Sequence, residues 1–273
     1  MRGPVDPGDA PPGAGEEMDA DTRHAYQQLS SMRRARNLRR LWRMLPSPPR
    51  CKLCHGPFSG PFVPVLRAIG KGRWPNNPNY CGGCFRAIRE RREGAEIEST
   101  FLFADVRGST EMAERMRPSE VRRVMDRFFS VASERLIRHE AIIDKFVGDE
   151  VVAIFIPGLT GGEHAAKGLA AGREILAATA PDGDAPLPVG IGVNTGVAYV
   201  GAVGTDEHVE LTAVGDAVNV AARLASAAGA GELVASRSTV LRAGVPNIGL
   251  EHRTLTLKGK SEAVEAVVFG PKR

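Results

Sequence analysis

No stretch of this 273-residue chain approaches the ~18–20 consecutive apolar residues that a membrane-spanning helix needs, so a helical span is excluded. The N-terminus also lacks the apolar segment of a secretory signal, which predicts a reducing cytoplasm and argues against disulfides. Residues 1–20 are poor in large apolar side chains and rich in Pro, Gly, Ala and acids. They cannot bury enough area to order themselves and are expected to form a disordered tail. Cysteine is scarce: there are four, and all fall in two Cys-x-x-Cys pairs.

What is present is unevenly distributed. Residues 1–98 hold 17 Lys+Arg against 10 Asp+Glu, a formal +7, whereas the remainder carries −3, so the basic character of the chain originates at its front. From about Thr22 to Leu45 the composition is helical. Tyr26, Leu29, Met32, Leu38, Leu41, Trp42 and Leu45 can form an apolar face, and Arg33, Arg34, Arg36, Arg39, Arg40 and Arg43 a basic one. Such a helix could lie on anionic lipid, bind nucleic acid or pack on a partner chain. A solvated face is the first expectation, peripheral membrane contact stays open, and no nucleic acid is expected.

The cysteines, Cys51-Lys-Leu-Cys54 and Cys81-Gly-Gly-Cys84, offer two chelating pairs that together complete a tetrahedral four-cysteine site for Zn²⁺. The 26 residues between the pairs exceed the usual ribbon spacing, yet a longer loop costs little extra closure entropy. Two disulfides or a redox pair are the alternatives; a reducing compartment favours structural zinc. The intervening segments 57–62 and 72–80 build no core unaided, so the metal is expected to supply the folding free energy.

Two aspartates carry the chemistry. Asp105 ends the apolar run Thr-Phe-Leu-Phe-Ala (100–104), and Asp149 sits at the tip between Ala-Ile-Ile-Asp-Lys-Phe (141–146) and Val-Val-Ala-Ile-Phe-Ile (151–156). The β-branched residues of these runs predict buried strands, and Gly148 permits a tight hairpin tip. After Asp105, Gly108-Ser109-Thr110 leads into a helical pattern whose free N–H groups suit phosphate oxygens. Carboxylates held this way suit Mg²⁺, which takes one or two carboxylates plus substrate phosphates, and two such ions ~3.5–4 Å apart can clamp an attacking and a leaving oxygen.

These segments, with Leu-Thr-Ala-Val-Gly-Asp-Ala-Val-Asn-Val-Ala-Ala-Arg-Leu (211–224), resemble the three signature blocks of the class III nucleotide cyclase catalytic domain, in order and with internal spacing intact. The resemblance covers about 98–270. It implies that Asp105, Asp149 and the Val106 carbonyl bind two Mg²⁺ or Mn²⁺ ions, that Lys145 and Thr212 read the purine, that Asn219 orients the ribose, and that Arg223 meets the charge developing on the α-phosphate. A guanidinium suits that last role because it stays charged and presents a planar fork of donors. Most relatives carry Asp where Thr212 stands, and Thr there resembles a subclass whose bacterial members often respond to bicarbonate. Guanylate cyclases tend to have Glu and Cys at the two purine positions, so the resemblance implies ATP as substrate and cyclic AMP and pyrophosphate as products. One of Lys258 and Lys260 is expected to contact the terminal phosphates. The resemblance further implies a homodimer in which the metal aspartates of one subunit face the purine and transition-state residues of the other, with the glycine-punctuated Tyr199–Leu211 hairpin as dimer arm. His208, at its tip, is assigned no role.

The residue pattern independently predicts an α/β (α+β) fold. A helix over 118–140 carries Val121, Val124, Phe128 and Val131 at helical spacing, 161–178 is a second helix, 189–203 a strand, and Ala217–Ala227 a helix placing Asn219 and Arg223 on one face. The order β-α-β-β-α-β is the ferredoxin-like split arrangement. The expected organisation is a tail (1–20), a basic helix plus four-cysteine zinc module (21–97) and a catalytic domain (98–273), with residues 85–95 as a helical link. A catalytically silent or GTP-using signalling domain is the alternative, and a nucleic-acid-binding protein regulated by a cyclase-like domain is a third.

Overall fold

The computed structural model describes residues 33–45, 49–75, 77–90, 94–205, 209–256 and 263–270. The expected tail, the Thr22–Met32 part of the basic helix, His208, Lys258 and Lys260 lie outside the described residues. The front of the chain supplies helices α1 (Arg33–Arg43), α2 (Val63–Ala68) and α3 (Gly82–Glu90). Strand β1 (Ala95–Val106) follows, then α4 (Ser109–Arg115), α5 (Pro118–Arg138) and the hairpin β2 (Ile142–Val147) and β3 (Glu150–Phe155). After the short α6 (Pro157–Thr160) and a single 3₁₀ turn come α7 (His164–Thr179), β4 (Val189–Gly204) and β5 (Val209–Val214). The chain continues through α8 (Asp216–Ala227), β6 (Leu233–Ser236), α9 (Arg237–Ala243), β7 (Glu251–Leu255) and β8 (Val264–Phe269).

The strands form one sheet in the order β2-β3-β1-β4-β6-β8-β7, with β5 paired to β4. Its β2-β3-β1-β4 part is the order of a ferredoxin-like unit, as the sequence predicts. β1 is buried along nearly its whole length because helices or the cysteine module cover both faces. On one face Leu102 and Ala104 pack with Phe128 and Leu136 of α5 and Ile175 of α7. The buried stripe of α5 is Met125, Phe128, Ala132 and Leu136, one position round from the predicted Val121, Val124 and Val131, which are half-buried at its edge. Pro118 opens that helix, and Glu120 accepts a bond from the Arg117 N–H at 3.0 Å.

The opposite face carries α8 and the cysteine module. Ile97, Phe101, Ile142, Ile154, Val200 and Leu211 share one core with the four cysteines, Tyr80, Phe85 and Ile88. Thus the front segment, expected to depend on metal for want of a core, has one, shared with the sheet; its Trp74 and Phe85 rings stack at 5.2 Å. The basic helix is likewise engaged within the chain. Arg39, 3% exposed, donates to the carbonyls of Leu53 (3.1 Å) and Ala141 (2.7 Å) and to His55 Nε2 (2.9 Å). Burial and then Arg39 push His55 down to about 2, so the ring is neutral and accepts that bond. Arg40 pairs with Glu140, and Arg43 donates to the Ile137 carbonyl. Among the described residues no helix is long and apolar enough to cross a membrane.

Candidate active site

β1 delivers Asp105 and the β2–β3 turn delivers Asp149. Val147 pairs with Glu150, leaving Gly148-Asp149 as a two-residue turn whose positive φ (61°) falls on Gly148, a conformation that favours glycine. The register sets Asp105 opposite Glu150, so three carboxylates crowd one end of the sheet. Burial first, and hydrogen bonding with Asp149 next, hold Asp105 up to about 6; Arg107, 3.1 Å from Asp105 Oδ2, pulls the other way. Burial and then the charges of Asp105 and Asp149 push Glu150 up to about 7. Oxygen donors that repel one another this strongly suit a hard divalent cation, which would favour their ionised forms. Val106 ends β1 and is buried.

A second cluster forms around Asp144. A register break between Ile143 and Lys145 sets Asp144 out of the β2–β3 ladder as a bulge. Its carboxylate, 7% exposed as a residue, accepts the Thr212 hydroxyl on Oδ2 at 2.8 Å, and Lys145 Nζ lies 3.3 Å from the same oxygen. Lys145 and Thr212, 67 positions apart in the chain, therefore meet on one atom. Lys145 keeps a 47% exposed side chain.

Asn219 is exposed and Arg223 half-exposed on α8, one turn apart, as the sequence predicts. Among the described residues neither side chain has a bonding partner. The helix is seated on β4 through small residues: Gly192 faces Ala221 and Ala225, and Gly196 faces Ala217. Asn194 Nδ2 donates to the Ala217 carbonyl at 2.8 Å at one end, and Arg107 Nη2 to the Ala225 carbonyl at 2.8 Å at the other. Arg107 thus ties the Asp105 end of β1 to the helix bearing Arg223.

Cys51, Cys54, Cys81 and Cys84 come together, their sulfur atoms all within 4.8 Å of one another, and none forms a disulfide. The N–H groups of Gly56, Cys81 and Cys84 point at Cys54, Cys51 and Cys81 Sγ at 3.4, 3.3 and 3.4 Å. Such donors stabilise thiolate, and hydrogen bonding, from Cys54 above all, brings the Cys51 thiol down to about 7. A four-sulfur donor set of this kind fits Zn²⁺.

Sequence reasoning passed over Arg107, Asp144, Glu150 and Lys52. Three of these lie within two residues of Asp105 or Asp149 or beside Lys145, so adjacency to a motif was the available signal. Lys52 had none. Its ammonium crosses from the cysteine module to the Asp144 carbonyl oxygen (2.5 Å) and Oδ1 (3.4 Å).

A profile of the family described as "Adenylate and Guanylate cyclase catalytic domain" matches residues 95–268. Among curated proteins the chain is similar to an adenylate cyclase of Anabaena cylindrica, 32% identical over 177 residues, covering 60% of this chain and 35% of that protein. It is 35% identical over 196 residues to an uncharacterized protein of Mycobacterium tuberculosis, covering 67% and 35%. The matched region thus spans about a third of the length of these relatives. Among solved structures, the guanylyl cyclase Cya2 aligns with a TM-score of 0.59 at 29% identity over 64% of this chain and 92% of that one. The adenylyl cyclase CyaB from P. aeruginosa aligns with 0.58 at 28% identity over 66% and 98%.

Proposed function

Because the chain belongs to the adenylate and guanylate cyclase family, we propose that it is an adenylate cyclase, forming 3′,5′-cyclic AMP and pyrophosphate from ATP at sites shared between two subunits. The observation that carries this reading is the convergence of Lys145 and Thr212 on Asp144, which makes the two purine-reading positions one cluster suited to adenine. Lys145 donates to a ring nitrogen and the Thr212 oxygen accepts from the amino group. Asp105, Asp149 and the Val106 carbonyl would hold Mg²⁺ or Mn²⁺, which when bound polarises the α-phosphate and lowers the pKa of the attacking hydroxyl. Asn219 orients the ribose so that its 3′-oxygen lies in line with the α-phosphorus. Arg223 neutralises charge on the equatorial oxygens as the bond to pyrophosphate breaks. The four cysteines hold a structural Zn²⁺.

A dimer accounts for Asn219 and Arg223, which have no partner among the described residues, and for the exposed Phe146, Val147, Val203 and Val214 on the β2–β3 and β4–β5 hairpins. In a shared site each chain supplies one half, so complementation tests it. Asp105→Ala and Arg223→Ala proteins should each be inactive with Mn²⁺ and ATP. After demonstrated subunit exchange, an equal mixture should regain roughly a quarter of wild-type activity, because half the dimers carry one intact site of two. No recovery would refute the shared site, and a wild type that prefers GTP would refute the adenylate assignment.

A further inference from the structure

Asp144 is a buried carboxylate surrounded by donors from three parts of the chain. Oδ2 takes the Thr212 hydroxyl at 2.8 Å and lies 3.3 Å from Lys145 Nζ, while Oδ1 lies 3.4 Å from Lys52 Nζ. Lys52 sits between Cys51 and Leu53, inside the first cysteine pair, and its side chain is 12% exposed. Its backbone N–H is fixed on the Asn79 carbonyl at 2.8 Å, and its ammonium lies 5.8 Å from the centre of the Tyr80 ring. The Tyr80 hydroxyl in turn accepts from the Leu211 N–H at 3.3 Å, next to Thr212. The cysteine module therefore grips both strands that bear the purine-reading side chains.

A threonine hydroxyl has one proton and two lone pairs, so by itself it serves a donor or an acceptor equally well. An ionised carboxylate only accepts. With its proton directed to Asp144, Thr212 has only lone pairs left for a ligand. Adenine presents an amino donor at purine position 6, whereas guanine presents an oxo acceptor at the same place. An acceptor facing an acceptor leaves both unpaired in a desolvated site, and unmade bonds of that kind are what give polar pockets their discrimination.

We propose that Asp144, held in place by Lys52 of the cysteine module, is a positioning residue for base selection: it takes the Thr212 proton and so commits that hydroxyl to accept from a 6-amino purine. This rests on the adenylate cyclase reading of Lys145 and Thr212. The two ammonium groups balance the carboxylate's charge, and the bulge at Asp144 is what lets it turn toward Thr212. Base choice is thereby wired to the integrity of the cysteine module through a single side chain.

The test is the ratio of kcat/KM for ATP over GTP, measured with Mn²⁺ on the full chain. In Asp144→Asn the amide can turn its N–H toward Thr212, freeing the hydroxyl to donate to a 6-oxo group, so the ratio should fall about tenfold, mostly through a lower KM for GTP. Lys52→Met, which leaves the cysteines and Asp144 in place, should shift the ratio the same way by a smaller factor; it carries the test if the first variant does not fold. In a Thr212→Val background neither substitution should change the ratio further, since the hydroxyl they act through is gone. An unchanged ratio in Asp144→Asn, or an equal change with and without Thr212, overturns the proposal. Should the wild type form no cyclic nucleotide, the adenylate cyclase reading fails. The ratio of Kd values for α,β-methylene ATP and GTP analogues in the same variants then decides, and a wild type that binds neither overturns the inference as well.

Discussion

Replacing Gly192 by alanine places a methyl group where α8 already lies. The added Cβ would stand 2.1 Å from the Ala225 nitrogen and 2.3 Å from the Ala221 oxygen, both helix backbone atoms that cannot swing aside as a side chain would. Ordinary contact begins near 3.4 Å, so the helix or the strand must move by about 1.3 Å. Overpacking of this kind costs about 1–3 kcal/mol. That is a fraction of the roughly 5–15 kcal/mol by which domains are stable, so the fold should persist, with a melting temperature lowered by about 2–4 °C per kcal/mol. Asn219 and Arg223 ride on the displaced helix. A misplacement of about 1 Å in such groups costs about a hundredfold in rate. The assay is cyclic AMP formation with Mn²⁺ and ATP at saturating substrate, alongside circular dichroism and a thermal melt. Gly162→Ala is the control, because a methyl there meets nothing within 4 Å. The expected outcome is a folded Gly192→Ala protein with kcat reduced about a hundredfold and a Gly162→Ala protein unchanged. A folded Gly192→Ala protein within about threefold of wild type would show that the seating of α8 on β4 does not set the position of the proposed transition-state residues.

Three further outcomes are expected. Arg39→Met removes the donors to the Leu53 and Ala141 carbonyls, and at about 1–3 kcal/mol for each orphaned buried acceptor it should destabilise the chain by about 2 kcal/mol or more in a denaturant titration; a neutral result would mean that α1 is not docked as described. Asp105 and Glu150, held up to about 6 and about 7, make the folded metal-free chain bind more protons than the unfolded chain between about pH 4 and 7. Stability without added Mg²⁺ or Mn²⁺ should therefore fall as pH rises through that window, less so in Glu150→Gln and less so with Mn²⁺ added, and a pH profile identical in Glu150→Gln would contradict this. Elemental analysis should find one zinc per chain in the wild type and none in Cys81→Ser, whose thermal transition should be lower; a native-like melt of zinc-free protein would remove the structural role of the metal.

Much of the candidate site's geometry was legible because it is local. Asp149, Gly148 and Lys145 lie within five positions, a hairpin tip needs little more than its turn residues and β-branched flanks, and Asn219 and Arg223 reach one helix face by spacing alone. The stripe of α5 was legible at Phe128, with Val121 and Val124 packed at its edge, but helical spacing leaves the adjacent Val124 and Met125 both available, and packing against the sheet buries Met125 more deeply. The front half was less legible. Its arginines read first as a solvated face, yet Arg39 is buried in the fold and Arg40 is paired with Glu140, 100 positions away. Charge runs are usually solvated, and only the depth of the surrounding carbonyls reverses that expectation here.

The order of the elements, the three blocks that identify the family, and the grouping of the cysteines in pairs can all be read from the amino-acid order, since each depends on residues close in the chain or on a spacing that one element enforces. Packing in three dimensions was needed to establish that the cysteine module and the sheet share a core, that Arg107 ties Asp105 to α8, and that Lys52 meets Asp144 across 92 positions. Those contacts follow from how two faces meet, and such a meeting leaves no period in a sequence: a lysine between two cysteines looks the same whether it faces water or the carboxylate that accepts the Thr212 hydroxyl.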